Sequence, residues 1–334
     1  MDTDRRADQA LRTFEHECRR LFGIAYRILG NAADAEDVVQ DAWMRWQACD
    51  RDAVREPAAF LTTITTRLAI NELGSAHARR ETYIGPWLPS PVDTGNDPTL
   101  GAERGEALQM ATLLLMERLT PTERAAFVLR QAFDYPYDRI AEILETSQAA
   151  ARQLVSRARR HLEADTGRTA DRRTHHRFFQ TFLQAARTGD LGALESLLAA
   201  DAISYTDGGG VVHRTARRPV RGRENLVRFL YGVSQWLWRG VELVPVEANC
   251  RETALLLSGD DVFAALTATV RDDTITQILW IMNPTKLASI AQGRPIATPV
   301  PMTQRPPARV RVTPSHTIPS HAVNSQDALL PSIG

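Results

Sequence analysis

Between residues 83 and 99 the chain carries Gly85, Pro86, Pro89, Pro91, Gly95 and Pro98. Proline lacks the amide proton and fixes φ, so neither a helix nor a central strand tolerates that density. The segment is therefore a linker, and it splits a helix-patterned N-terminal half in two. Residues 8–82 hold no proline before Pro57 and read as one helical domain. The linker occupies 83–102, and helical patterning returns over 103–165, interrupted at Pro121 and around Tyr135-Pro136.

After a polar, basic stretch from Thr166 to His176 the texture changes again. Residues 177–199 read as an amphipathic helix pair, with Phe178, Phe179, Phe182 and Leu183 followed by Leu191, Leu194, Leu197 and Leu198. Val241–Cys250, Thr253–Leu257, Val262–Val270 and Thr274–Met282 are rich in β-branched and apolar residues and are separated by turn-forming Ser-Gly-Asp-Asp and Arg-Asp-Asp-Thr. Residues 174–290 are thus expected to form an α+β domain on an antiparallel sheet. Residues 293–334 hold eight of the eighteen prolines and almost no aromatic groups. They cannot bury enough apolar area to offset their ordering entropy, which predicts a disordered tail.

Forty basic residues balance forty acidic ones, and Lys286 is the single lysine. Cys18, Cys49 and Cys250 are too scattered for a disulfide framework or a zinc finger. No apolar run approaches a membrane span and the N-terminus lacks a secretory core, so a soluble, cytoplasmic protein without membrane contact is expected. Zero net charge does not exclude nucleic acid, because phosphate responds to where charge sits.

From Asp34 to Trp46, Ala35, Val38, Val39, Ala42, Trp43 and Trp46 make one apolar helical stripe, flanked by Asp34, Asp37 and Asp41. By itself that flank reads first as a solvated acidic face with favourable N-terminal electrostatics. Pro57 opens a second helix, whose buried side is Phe60, Leu61, Ile64, Leu68 and Leu73. Asn71, Arg67 and the hydroxyls of its threonine run, taken as exposed, have the chemistry to read bases. His77, Arg79 and Arg80 have that to bind phosphates. A capped surface helix with a basic end accounts for the same residues.

Thr120-Pro121-Thr122-Glu123 is a capping box with proline at the first helical position. Tyr137–Leu144, a three-residue break Glu145-Thr146-Ser147, and Gln148–Leu162 then make a helix-turn-helix. Ile140, Ile143 and Leu144 face Ala151, Leu154, Val155 and Ala158, and Ala141 is small where the helices cross. The outer face of the second helix carries Arg152, Gln153, Ser156, Arg157, Arg159 and Arg160. From 148 to 177 eight arginines stand against three acids. Arginine and glutamine make bidentate contacts to base edges while flanking arginines neutralise phosphate.

With these motifs on one chain, it resembles an extracytoplasmic-function sigma factor of bacterial RNA polymerase. Residues 14–81 resemble the sigma-2 domain through Asp34-Ala35-Glu36-Asp37-Val38-Val39-Gln40-Asp41-Ala42-Trp43 and Pro57–Ile70, and residues 103–163 resemble sigma-4. Tyr83-Ile84-Gly85-Pro86-Trp87-Leu88-Pro89, Asp207-Gly208-Gly209-Gly210 and Asn283-Pro284-Thr285-Lys286-Leu287 are similar to motifs of the subgroup with a fused SnoaL/NTF2-like domain. The resemblance implies a multidomain fold: two all-α domains, then an α+β NTF2-like domain and the tail. It implies core RNA polymerase, through its β′ clamp and β subunits, and promoter DNA as partners, with Asp34, Asp37, Gln40 and Asp41 docking on the β′ clamp. By the same likeness Arg67, Asn71, His77, Arg79 and Arg80 engage the −10 promoter element, and Arg152, Gln153, Ser156, Arg157, Arg159 and Arg160 the −35 element. The appended domain would regulate in cis, with the three further motifs at the domain contacts and Trp87 as an anchor.

The chain departs from the pattern at five positions. Glu145 stands where the family has glycine, and Gly74 and His77 where it favours basic residues. Thr285 and Ser90 replace acids. RNA synthesis belongs to the polymerase, so no catalytic residue and no cofactor is expected. Asp207, His213 and Tyr205 are candidate polar groups for an NTF2-like pocket and leave room for a small-molecule ligand. Asp207-Gly208-Gly209-Gly210 also reads as a turn needing positive φ, and adjacent His175 and His176 as surface residues. The alternatives are a helix-turn-helix regulator with a ligand-sensing domain, or an isomerase- or hydrolase-type enzyme with a DNA-binding N-terminus. Neither uses the acidic helix.

Overall fold

The computed structural model describes residues 2–96, 105–163, 169–212, 215–291 and 293–297, with His77 described only as part of its helix. His213, linker residues 97–102 and residues 298–334, most of the expected tail, lie outside the described residues.

Helices α1 (Asp2–Leu29), α2 (Ala32–Ala48) and α3 (Pro57–Glu81) pack as the first bundle. Asn31 caps α2, its side chain accepting from the Ala33 amide at 3.2 Å, and Pro57 enters α3 in the first turn. Gly30 joins α1 to α2 at φ +70°. A Cβ there would stand 3.1 Å from both Arg124 and the Trp87 ring, so only glycine lets this corner seat against the rest of the protein.

Among the described residues, α4 (Met110–Met116), α5 (Pro121–Gln131), α6 (Tyr137–Ile143) and α7 (Gln148–Glu163) follow. The capping box at Thr120 and Glu123 is present in both directions. Ile140 and Ile143 on α6 and Ala151, Val155 and Ala158 on α7 are buried where they were expected to meet. Glu145 adopts φ +51° between the helices. The left-handed geometry that glycine usually supplies is kept here by a glutamate. One core cluster runs without interruption from Phe14, Leu21 and Ile24 through Leu108 and Leu129 to Ile140 and Val155, so the two helical parts share an interior.

The remaining residues form α8 (Arg172–Thr188), α9 (Leu191–Leu197), β1 (Leu198–Asp207), β2 (Val220–Arg221), α10 (Arg223–Ser234), β3 (Val241–Ala248), β4 (Arg251–Ser258), β5 (Asp261–Arg271), β6 (Thr274–Ile281) and α11 (Pro284–Leu287). The sheet order is β2-β1-β6-β5-β4-β3. It is mixed rather than antiparallel as expected, because β1 pairs with β6 in parallel. The intervening α10 and four strands, β2 to β5, give that pair the long crossover it needs. Leu198, expected to end a helix, opens β1 instead. The β3–β4 turn is Asn249-Cys250 and the β5–β6 turn Asp272-Asp273, all four at positive φ, as two-residue primed turns require.

Both sheet faces are covered. Leu256, Leu266, Ala268, Ile278 and Trp280 pack against Phe179, Phe182 and Leu230. On the opposite face Leu255, Leu257, Ala265, Leu279 and Ile281 pack against linker Leu88, Met110 of α4, Leu287 and Ile290. The linker is a structural layer between domains. The expected tail also begins later than residue 293: the Val262 amide donates to the Pro295 carbonyl at 2.9 Å, and the Ala297 amide to the Val262 carbonyl at 3.0 Å.

Candidate functional site: nucleic-acid faces and the interdomain lock

On α2, Asp37, Gln40 and Asp41 are exposed along one face, with Met44, 57% exposed, a turn further on. Asp34 is largely buried, its side chain 22% exposed, and lies 3.8 Å from Arg79; burial raises its carboxyl pKa, against the pull of that guanidinium.

The α3 residues differ sharply in accessibility. Asn71 is exposed, and Arg79 pairs with Glu72 at 2.5 Å. Arg80 is turned inward: it bonds Glu117, donates to the Leu29 carbonyl at 2.6 Å and stacks 3.6 Å from the Trp87 ring centroid. Burial lowers its pKa. Most of the threonine hydroxyls taken as exposed are not, and half-buried Thr63 donates its own to the Ala59 carbonyl at 2.9 Å. Thr62, Thr65 and Thr66 are fully buried, and the latter two hydroxyls have no hydrogen-bond partner. Core packing along α1 to α3 uses the face that sequence patterning left to solvent.

Arg67 grips the helix-turn-helix itself. Its Nε donates to the Ile143 carbonyl at 2.9 Å and Nη2 to the Glu142 carbonyl at 3.2 Å, while Nη1 pairs with Glu145 at 2.8 Å. It thereby satisfies carbonyls at the C-terminal end of α6, where a cation also suits the helix dipole. Arg20 bonds Tyr135, whose hydroxyl reaches Thr62 at 3.2 Å, and fully buried Arg124 joins the Arg27 carbonyl to Glu117. On α7, Arg152, Gln153, Ser156, Arg157, Arg159 and Arg160 are all exposed. Arg157 lies 3.6 Å from Glu123, and Arg152 sits over the Tyr137 ring.

The linker and C-terminal motifs converge on one buried cluster. The Lys286 ammonium, 5% exposed, pairs with Asp207 at 2.7 Å, donates to the Leu88 carbonyl at 2.5 Å and faces Trp87 at 4.3 Å. Desolvation lowers its pKa, opposed by Asp207. Trp87 is thus flanked by two cations, Arg80 and Lys286, an arrangement favoured by the ring's negative faces. Asp207 also accepts from the Leu88 amide at 2.9 Å and the Tyr83 hydroxyl at 2.5 Å, and Asn283 donates to that hydroxyl at 2.9 Å. Burial and Asp207 push the Tyr83 pKa up. Gly208 is buried. Gly209 and Gly210 have φ +64° and +74°, and a Cβ on Gly209 would come within 2.6 Å of Asn283. Gly85 also has positive φ, Pro86 is half-buried, Pro89 and Leu287 are buried, and Pro284 starts α11. Thr285 helps Asn283 cap that helix, and Ser90 bonds Asn31.

Two pocket expectations change. Asp207 is consumed by the linker, and Tyr205 packs on that same side of the sheet, away from the α8–α10 layer. His175 is buried rather than superficial, bonded through Nε2 to the Ala268 carbonyl at 2.9 Å; His176 is exposed and pairs with Glu252 at 2.6 Å. Among the described residues no cluster of His, Cys, Asp and Glu has metal-holding geometry, and no helix is long and apolar enough to cross a membrane.

Sequence reasoning missed Asn249. At φ +52° and fully buried, it accepts from the Val92 amide at 3.0 Å and donates to the Tyr26 hydroxyl and the Leu108 carbonyl, each at 2.8 Å. One side chain at a hairpin tip therefore touches the first bundle, the linker and the start of the second bundle. An Asn between two β-rich runs is the only signal of it in the sequence, and it says turn, not junction.

An acidic-faced helical bundle followed by an arginine-faced helix-turn-helix defines a promoter-recognition subunit of bacterial RNA polymerase. Residues 13–79 match the Sigma-70 region 2 family and residues 109–162 the Sigma-70 region 4 family. The chain is 38% identical over 287 residues to the ECF RNA polymerase sigma factor SigJ of Mycobacterium tuberculosis, covering 82% of this chain and 91% of SigJ. It belongs to the extracytoplasmic-function sigma factors. The SigJ crystal structure superposes with a TM-score of 0.68 at 35% identity, covering 84% of this chain and 98% of that one. A probable sigma factor SigI of the same species is 31% identical over 182 residues, 53% of this chain and 63% of the relative.

Proposed function

We propose that this sigma factor rests in a closed form that can meet core RNA polymerase but not a whole promoter, and that the C-terminal domain holds it there. The exposed α2 face of Asp37, Gln40 and Asp41 is the polymerase contact, with Asp34 at its edge. Asn71, Arg67, Arg79 and His77 serve the −10 element, and the exposed α7 residues serve the −35 element. Arg80, buried under Trp87, instead secures the end of α3 to the linker.

The observation that carries this reading is the grip of Arg67 on the helix-turn-helix. Elements named −10 and −35 are about 25 base pairs apart, roughly 85 Å of duplex. A −10 helix hydrogen-bonded to the −35 module cannot span that distance. The fully buried, unpartnered hydroxyls of Thr65 and Thr66 belong to the same helix and are a cost of this packing. Cytoplasmic residence follows from working on the polymerase. The test is transcription with purified core enzyme on a genomic promoter pool, comparing the full chain with a form ending after residue 163. The proposal requires different output from the two; equal output on every promoter removes regulation in cis.

A further inference from the structure

We propose that the C-terminal domain carries its own DNA-backbone site, an arginine strip on the β1–β2 connection and β2 that extends the −10 face of the first bundle. Residues 215–223 contain Arg217, Arg218, Arg221 and Arg223 and no acid, although the whole chain has as many acids as bases. Arg217, Arg218 and Arg221 are exposed, and among the described residues none of the three has an ion-pair partner. By contrast Arg172, Arg79 and Arg228, equally exposed, are each paired with a glutamate. Arg223 is half-buried with an unpartnered Nε. The nearest acid in sequence, Glu224, is taken by Arg228.

Position selects the partner. A Cβ on Gly85 would lie 3.9 Å from the Arg217 backbone, and Gly85 follows the end of α3 by four residues. At about 3.5 Å per residue the strip therefore starts within about 20 Å of Arg79, a few phosphates along one strand. β2 is also an edge strand of the sheet, so nothing beside it in the sheet stands between Arg221 and solvent. Unpaired guanidinium groups along an edge suit a row of phosphates, which they bind by charge and without reading sequence. The inference rests on the −10 assignment made above, since that places DNA alongside α3.

The experiment is fluorescence anisotropy of the full-length protein with a labelled mixed-sequence duplex of about 40 base pairs, titrated at about 50 to 300 mM NaCl. Arg217→Ala/Arg218→Ala/Arg221→Ala is expected to make the log–log salt slope shallower by about 2 to 3 and to weaken binding roughly tenfold at low salt. The triple lysine variant should keep the slope, because phosphate needs charge here rather than a fork. An unchanged slope in the alanine variant overturns the proposal, as does equal loss in the lysine variant. So does a loss confined to phosphatidylcholine vesicles with about one-third phosphatidylserine, which makes the strip a membrane contact. Core-polymerase pulldown is run in parallel. Wild-type protein that fails to bind core overturns the sigma-factor roles, whereas normal core binding with an unchanged slope removes only the strip.

Discussion

Replacing Asn249 with alanine tests how the three domains are joined. The substitution deletes three hydrogen bonds in a fully buried site. The Tyr26 hydroxyl keeps the Ser90 carbonyl at 2.5 Å, but the Val92 amide and the Leu108 carbonyl lose the Asn249 side chain. A buried group left unsatisfied costs about 1–3 kcal/mol, and alanine in the left-handed region adds about 1 kcal/mol relative to asparagine. The expected sum for the two groups and the backbone is about 3–7 kcal/mol, charged to the docking of the β3–β4 tip and not to the interior of the sheet. Hydrogen exchange read by mass spectrometry separates the two. Amides of residues 88–94 and 105–110 should exchange at least about a hundredfold faster, while those of β5 and β6 are unchanged. Asn249→Asp should be as damaging, since it keeps the acceptor for Val92 but sets a carboxylate against the Leu108 carbonyl. Unaltered protection of the linker in either variant would refute the keystone argument.

Three further outcomes follow from the same geometry. Lys286→Met leaves Asp207 charged and buried, which should cost about 3–5 kcal/mol in thermal or urea unfolding; adding Asp207→Asn should recover part of it, and no recovery would mean the pair is not the origin of the loss. His175 has its pKa lowered from the ordinary 6.5, first by burial. The unfolded chain then binds the proton more readily, so stability is full above pH 6.5 and falls as pH drops toward the folded-state pKa. Urea midpoints should show this slope in wild type and a flatter one in His175→Gln. Glu145→Gly removes left-handed strain of about 1 kcal/mol and an ion pair worth under about 1 kcal/mol at its exposure. The variant should therefore unfold at the same or a higher temperature while the α3–α6 contact loosens, and a clearly lower midpoint would contradict the strain argument.

How much of this was legible depended on whether a feature is local. Capping at Thr120, the helix-turn-helix break and the turn at Asp272-Asp273 are written in adjacent residues, whereas the left-handed requirement at Glu145 came from the resemblance, as a departure from the family's glycine. The meeting of Tyr83, Asp207 and Lys286 came from a resemblance, since periodicity offers no link across 124 residues. Long-range pairing was opaque: β1 lacks the β-branched density of a free-standing strand and is fixed by β6, and His175 looks like its exposed neighbour until the sheet buries it. The threonine run misled because Thr65 and Thr66 pack without partners, a cost no local pattern announces. Arg67 and Arg80 show the same limit. Both are basic residues on one helix, yet one holds the helix-turn-helix and the other is buried under a tryptophan.

The most direct measurement is the distance between the two helical modules, free and at work. Spin labels on unnatural side chains at Gly74 in α3 and Asp138 in α6, both exposed, report it by pulsed electron resonance. A single short distance is expected in the free protein, lengthening by tens of ångströms in the polymerase–promoter complex, as a span of roughly 85 Å between elements demands. The same short distance in both states would contradict the account.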